Sequence, residues 1–228
     1  MPDTKGHLLP VYVLADESYS MLDYVGQLNA GLASLYETVR SEPMIAAKVR
    51  LCVLGFSDDV AVRLGLADLR DTDVLPQMAI RTNTNYHAAF TDLLRRIPGD
   101  VGDLKSSGYK VHRPVIYFLS DGQPNPDGAN ENWTDTHRRL VDKERNATAP
   151  NIIACGVGDV EAQTILDVAT QPEFAFIAPV NADIGSSIAK FFVALTTSVV
   201  LSGRSMNSRS PQLFFEKPEG FHMAIDEV

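Results

Sequence analysis

Three apolar stretches in this chain run without the polar alternation of a half-solvated strand: Val11–Ala15 (VYVLA), Arg113–Ser120 (RPVIYFLS) and Asn151–Val157 (NIIACGV). A strand that is apolar on both sides needs cover on both sides, and that is the condition of a parallel sheet sandwiched between helices. The intervening segments supply such helices. Val25, Leu28, Leu32, Leu35 and Val39 recur at steps of three and four, one helical face over residues 23–40 with Asp23 as cap. The pattern predicts an α/β fold. It is doubly wound, with a mostly parallel central sheet, one antiparallel edge strand and helices on both faces.

The edge strand is expected from a hairpin. Lys48–Phe56 reads as a strand, Ser57-Asp58-Asp59 as its turn, and Val60–Leu66 as the returning strand. A helix is expected from Tyr86 to Ile97, and Pro98–His112 as a long loop of the functional or mobile kind. Further helices are expected over residues 133–147 and 160–169, and a last strand over 174–178. Asp183 is expected to cap a final helix with Ile184, Ile188, Phe191, Phe192, Leu195 and Val199 on one face. The domain is read as residues 1–201. Residues 202–228 form a polar tail that either packs on the domain or orders on meeting a partner.

A net charge of −9 and a pI near 5.0 argue against a nucleic-acid binder, which needs a basic face for phosphates. Cys52 and Cys155 lie inside apolar runs and read as buried free thiols. The start, MPDTKGHLLP, lacks the basic and apolar regions of a signal peptide, and no run reaches about 18 uninterrupted apolar residues. A cytoplasmic protein with no membrane segment is expected.

The first apolar strand stops on Asp16-Glu17-Ser18-Tyr19-Ser20. An acid and two hydroxyls at that point fall at the carboxyl edge of the sheet, where open α/β folds place their ligands. Hard oxygens suit Mg²⁺, Mn²⁺ or Ca²⁺ rather than zinc. Read alone, the stretch serves equally as a helix N-cap. Two more strand-end loops carry matching oxygens: Thr84 before a helix, and Asp121 after the central apolar strand. Two carboxylates with three hydroxyls suit an octahedral Mg²⁺ that keeps waters and leaves one position open.

Asp16-x-Ser18-x-Ser20, then Thr84 with Ala89-Phe90, then Asp121-Gly122 after an apolar strand resembles the von Willebrand factor A domain and its metal-ion-dependent adhesion site, over roughly residues 8–200. The stretches LPVYVLADESYSM, YFLSDGQP and AKFFVAL are most similar to its bacterial TerY-like branch, associated with tellurium-resistance gene clusters. The resemblance implies that Ser18 and Ser20 coordinate the metal directly. Thr84, Asp16 and Asp121 would do so directly or through water. The open position would take a partner's Asp or Glu carboxylate, with no catalysis. It also implies partners such as kinase-like, phosphatase-like or TerD-like proteins. Two positions depart from the family pattern. Tyr19 stands where Gly is common between the serines, either to stack on a partner or to shield the ion. Thr82-Asn83 replaces Gly-Gly before the threonine.

The rival reading is a Mg²⁺-dependent phosphohydrolase or phosphotransfer domain. Such a site adds a second carboxylate near the first and a fixed lysine. Here Ser18 occupies the place of that carboxylate, and Lys110 lies at the opposite edge. His87 is expected to pack on a helix surface, Glu17 to point away from Asp16 and Ser18, and Asp58 and Asp59 to serve as turn residues. Asp127–Glu131 reads as a solvated loop, and Trp133 as a packing residue at a helix start. Gly156-x-Gly158 is only a fragment of a phosphate-loop pattern.

Overall fold

The computed structural model describes residues 5–125, 132–206, 208 and 210–228. The strands are β1 (His7–Asp16), β2 (Val49–Phe56), β3 (Val60–Ala67), β4 (Lys110–Val111), β5 (Val115–Ser120), β6 (Asn151–Gly156), β7 (Ala175–Ile177) and β8 (His222–Met223). They form an eight-stranded sheet in the order β3-β2-β1-β5-β6-β7-β8, with β4 pairing the start of β1. The pairs β1–β2, β1–β5, β5–β6 and β6–β7 are parallel, and β2–β3 is the expected antiparallel hairpin. The C-terminal segment adds a second antiparallel edge, β8 on β7. The interior strands β1, β2, β5 and β6 are buried almost throughout, as their unbroken apolar runs require.

The helices are α1 (Val25–Ser41), α2 (Pro43–Ala46), α3 (Tyr86–Ser106), α4 (Trp133–Val141), α5 (Ala162–Val168) and α6 (Ile184–Ser205). α1 packs on α6 and α3 on α4. At the first of these contacts the ring of Phe192 fills the space where a side chain on Gly31 would begin, 2.2 Å from the Cβ position. α1 buries Leu28, Leu32, Leu35, Tyr36 and Val39, the face read from its spacing.

α3 differs from expectation. It continues through Pro98 to Ser106, so the segment from Pro98 is helix rather than a long loop. The apolar period explains this, because Phe90, Leu93, Ile97 and Val101 all stay on the buried side. Pro98 itself is exposed. The carbonyl that its missing N–H leaves unbonded is therefore on the side water reaches, which limits the cost of a proline inside a helix. Gly108, at φ +89°, then closes the helix end. α4 is shorter than expected, because Asp142 turns the chain by accepting from the Glu144 and Arg145 N–H groups.

Asp183 caps α6 as expected, accepting from Ser186 N at 2.7 Å. The helix runs four residues beyond position 201. By length and composition α6 could cross a bilayer, yet half of its most apolar stretch is buried in the domain. The chain then returns along it. Gln212, Phe214 and Glu216 donate alternate backbone N–H groups to the hydroxyls of Ser205, Ser202 and Ser198, at 2.8, 2.9 and 2.9 Å. The tail thus packs on the domain, and Phe221 and Ala224 are buried in it.

Candidate metal centre

β1 delivers Asp16 to the carboxyl edge of the sheet, beside β5. The last registered pair of these strands is Ala15–Leu119, so Asp16 and Ser120 are the next to face each other. The Ser120 hydroxyl donates to Asp16 Oδ2 at 2.6 Å. The other oxygen, Oδ1, accepts from the Ser18 N–H at 2.8 Å. Ser20 Oγ donates to Asp121 Oδ1 at 2.8 Å and lies 3.0 Å from Ser18 Oγ. With the Ser20 proton given to Asp121, Ser18 must be the donor of the pair. Asp16, Ser18, Ser20 and Asp121 therefore form one hydrogen-bonded chain across 105 positions of sequence (16 to 121).

Thr84 lies on the neighbouring loop and is buried. Its carbonyl accepts from Asn125 N at 3.0 Å, and the Tyr86 hydroxyl donates to Gly122 O at 3.0 Å. The Thr84 loop is thereby tied to the loop that follows Asp121. Its other side is held by the hairpin turn. Ser57 Oγ donates to Asn83 O at 2.7 Å, and Asp58 accepts from both Thr82 Oγ1 and Asn83 Nδ2. Asn83 thus fixes the loop, and Asp58 does more than turn a hairpin.

Burial governs the electrostatics. It pushes the Asp16 carboxyl up to about 7, against the hydrogen bonds from Ser120 and Ser18, and the Asp121 charge adds to the rise. Asp121 is raised as well, again mainly by burial. Among the described residues neither acid has a cationic side chain in ion-pair contact. Two desolvated carboxylates, each hydrogen-bonded to a serine hydroxyl and without a cationic partner among the described residues, are a donor set that fits a small hard cation. No group of three or more His, Cys, Asp or Glu side chains converges among the described residues.

Two residues gain roles the sequence did not show. Ser120 is one; its only sequence signal is a hydroxyl ending a buried strand beside the acid. Glu17 is the other. It turns away from Asp16, as strand alternation requires, and is fully buried beneath the hairpin. There it pairs with Arg63 and Arg81 and accepts from Ala79 N at 3.0 Å. His87 Nδ1 meets Thr136 Oγ1 at 3.2 Å, joining α3 to α4. Trp133 packs edge-on against Tyr86 at 5.5 Å. Cys52 and Cys155 are free and buried. At Gly156 a side chain would strike Val160 and Ile165, so that glycine serves packing. Asp127–Glu131 lies outside the described residues.

Compared by sequence, the chain matches no protein-family model and no curated protein. Solved structures do match. The pilus adhesin SpaC from Lactobacillus rhamnosus GG, in its open conformation, superposes with a TM-score of 0.62 at 11% identity, over 87% of this chain and 30% of that one. The vWF domain of the type V pili tip protein Mfa5 from Porphyromonas gingivalis gives 0.59 at 9% identity, over 85% of this chain and 95% of that domain. Proximal thread matrix protein 1 from the mussel byssus, with a zinc-occupied MIDAS motif, gives 0.56 at 14% identity, over 86% and 48%. The chain spans under half of the adhesin and of the mussel protein. At these identities the likeness is one of fold, and the fold is that of the von Willebrand factor A domain.

Proposed function

We propose that this protein is a non-catalytic interaction module in which Asp16, Ser18, Ser20, Thr84 and Asp121 hold a divalent cation, Mg²⁺ by preference and Mn²⁺ or Ca²⁺ as alternatives. The observation that carries the reading is the chain Asp16–Ser18–Ser20–Asp121, two buried carboxylates linked through the Ser18 N–H and the Ser18 and Ser20 hydroxyls, with no cationic partner among the described residues. When bound, the cation supplies a Lewis-acidic position for a carboxylate oxygen of a partner protein. Ser120 holds Asp16 in place, and the Asn83 and Asn125 contacts hold the Thr84 loop against the loop after Asp121. A structural neighbour of the same fold carries a metal-occupied motif of this class, which supports the choice of a metal.

The sequence resemblance to TerY-like proteins extends the proposal to a bacterial tellurium-resistance or stress-response setting in the cytoplasm. Partners there would be kinase-like, phosphatase-like or TerD-like proteins that offer an Asp or Glu. The test is capture from the native extract with Mg²⁺ and with chelator, using wild type and a Ser18→Ala/Ser20→Ala variant. Partners retained by wild type in Mg²⁺ alone support the reading. The same partners retained by the variant or in chelator contradict it. Hydrolysis of p-nitrophenyl phosphate that Asp16→Ala abolishes would favour the phosphohydrolase alternative.

A further inference from the structure

Between the oxygen cluster and α1 the chain makes a 3₁₀ turn, Tyr19–Tyr24. In a 3₁₀ turn residues three apart eclipse. Tyr19 and Leu22 therefore share one ridge, and both are in solvent, 68% and 46% exposed. Met21, between them, is fully buried and pins the turn to the core. The Tyr19 N–H donates to Thr82 O at 3.1 Å, so the turn is fixed to the loop that carries Thr84. The first turns of α1 and α6 also meet, with the Gln27 side chain 3.0 Å from the Cβ position of Gly185. That contact brings the loop before α6, with Val180 at 86% exposure, to the same edge of the sheet.

Tyr19 sits between the two serines of the cluster, and most of its surface is open to solvent. At this exposure the ring is available to a partner that reaches the oxygen cluster. We propose that Tyr19 and Leu22 form a docking ridge for the partner segment whose carboxylate enters the oxygen cluster, and that this segment carries bulky apolar residues directly beside its acid. The inference rests on the metal-dependent reading above and adds the partner's chemistry to it. The ridge selects among acidic segments. A lone exposed carboxylate gains only the polar contact, whereas one flanked by aromatic or large aliphatic side chains also removes the ridge from water.

The test is calorimetric titration of the Mg²⁺-saturated protein with two peptides, acetyl-Gly-Phe-Asp-Phe-Gly-amide and acetyl-Gly-Gly-Asp-Gly-Gly-amide. Wild type is expected to bind the first about tenfold more tightly, the scale of one partly buried aromatic contact. The Tyr19→Ser/Leu22→Ser variant, both positions being exposed, is expected to take up Mg²⁺ as wild type does and to lose the preference. Equal affinities in wild type, or a preference that survives in the variant, would overturn the ridge. So would Mg²⁺ uptake with no binding of either peptide, and that result would leave the metal site standing. Absence of Mg²⁺ uptake by wild type would overturn the metal reading, and the ridge with it.

Discussion

Glu17 and Arg63, 46 residues apart, meet in a two-pronged ion pair in which Nε and Nη2 reach Oε1 and Oε2, each at 2.8 Å. Arg81 closes on the same carboxylate at 3.2 Å, and its guanidinium continues to Asp59 and to the carbonyl of Gly55 at 3.2 Å. One buried acid thereby joins the strand end that carries Asp16, the edge strand β3, and the loop that leads to Thr84. Removing one partner of a buried pair costs roughly 3–5 kcal/mol, because the remaining charge loses its partner; here that charge is Arg63, since Arg81 keeps Asp59. Glu17→Ala is expected to lower stability on that scale in urea unfolding. It should also weaken cation binding through the freed Thr84 loop, although Glu17 is no ligand.

Gly55 makes room for this arrangement. A side chain there would begin 2.1 Å from the Glu17 carboxyl carbon. Gly55→Ala should therefore destabilise the fold by about 1–3 kcal/mol, the usual cost of overpacking, with no change at any exposed position. Thermal melts of the variant beside wild type would check it.

His137 predicts a pH dependence. Its Nε2 lies 2.8 Å from the Val168 carbonyl, which can only accept, so that nitrogen carries a proton. Burial holds the imidazole below its ordinary 6.5, outweighing the pull of the Val168 carbonyl and of Asp167. The unfolded chain then takes up a proton that the folded one resists. The stability is present above pH 6.5 and is lost as the pH falls below it. Melting temperatures from pH 8 to 5 should drop more steeply for wild type than for His137→Gln. His7 and His112, also lowered by burial, contribute equally to both proteins and cancel in the difference.

Much of the fold was legible because it rests on periodicity. The unbroken runs at Val11–Ala15 and Arg113–Ser120 announce strands covered on both faces, and the hairpin at Ser57–Asp59 announces the antiparallel edge. Pro98 reads as a helix breaker, but the apolar spacing that carries α3 to Val101 outweighs it. The second edge strand, His222–Met223, is too short to leave a pattern. In the cluster, Asp16, Ser18, Ser20 and Asp121 come together because strand ends converge, which topology alone dictates. Ser120 was missed because its partner is fixed by strand register. Glu17 was placed correctly as pointing away, yet Arg63 and Arg81 come from loop and strand positions that no local spacing connects to it.

The C-terminal strap offers a prediction independent of any metal. Ser202 Oγ both accepts from Phe214 N at 2.9 Å and donates to Phe214 O at 3.1 Å. Ser202→Ala removes both bonds, at about 1 kcal/mol each. Hydrogen exchange at the amides of Phe214 and Glu216 should accelerate, while exchange within β1 and β5 stays as in wild type. Unchanged protection at Phe214 would show that the strap is held by other contacts.

The most direct measurement of the central claim is calorimetric titration of Mg²⁺ and Mn²⁺ into wild type and into Ser18→Ala/Ser20→Ala. Saturable uptake of one ion by wild type, lost in the variant while its melting temperature without metal is kept within a few degrees, is the expected result. Equal heats in the two proteins, or saturable binding that survives loss of both hydroxyls, would contradict a metal centre built on Asp16, Ser18, Ser20, Thr84 and Asp121.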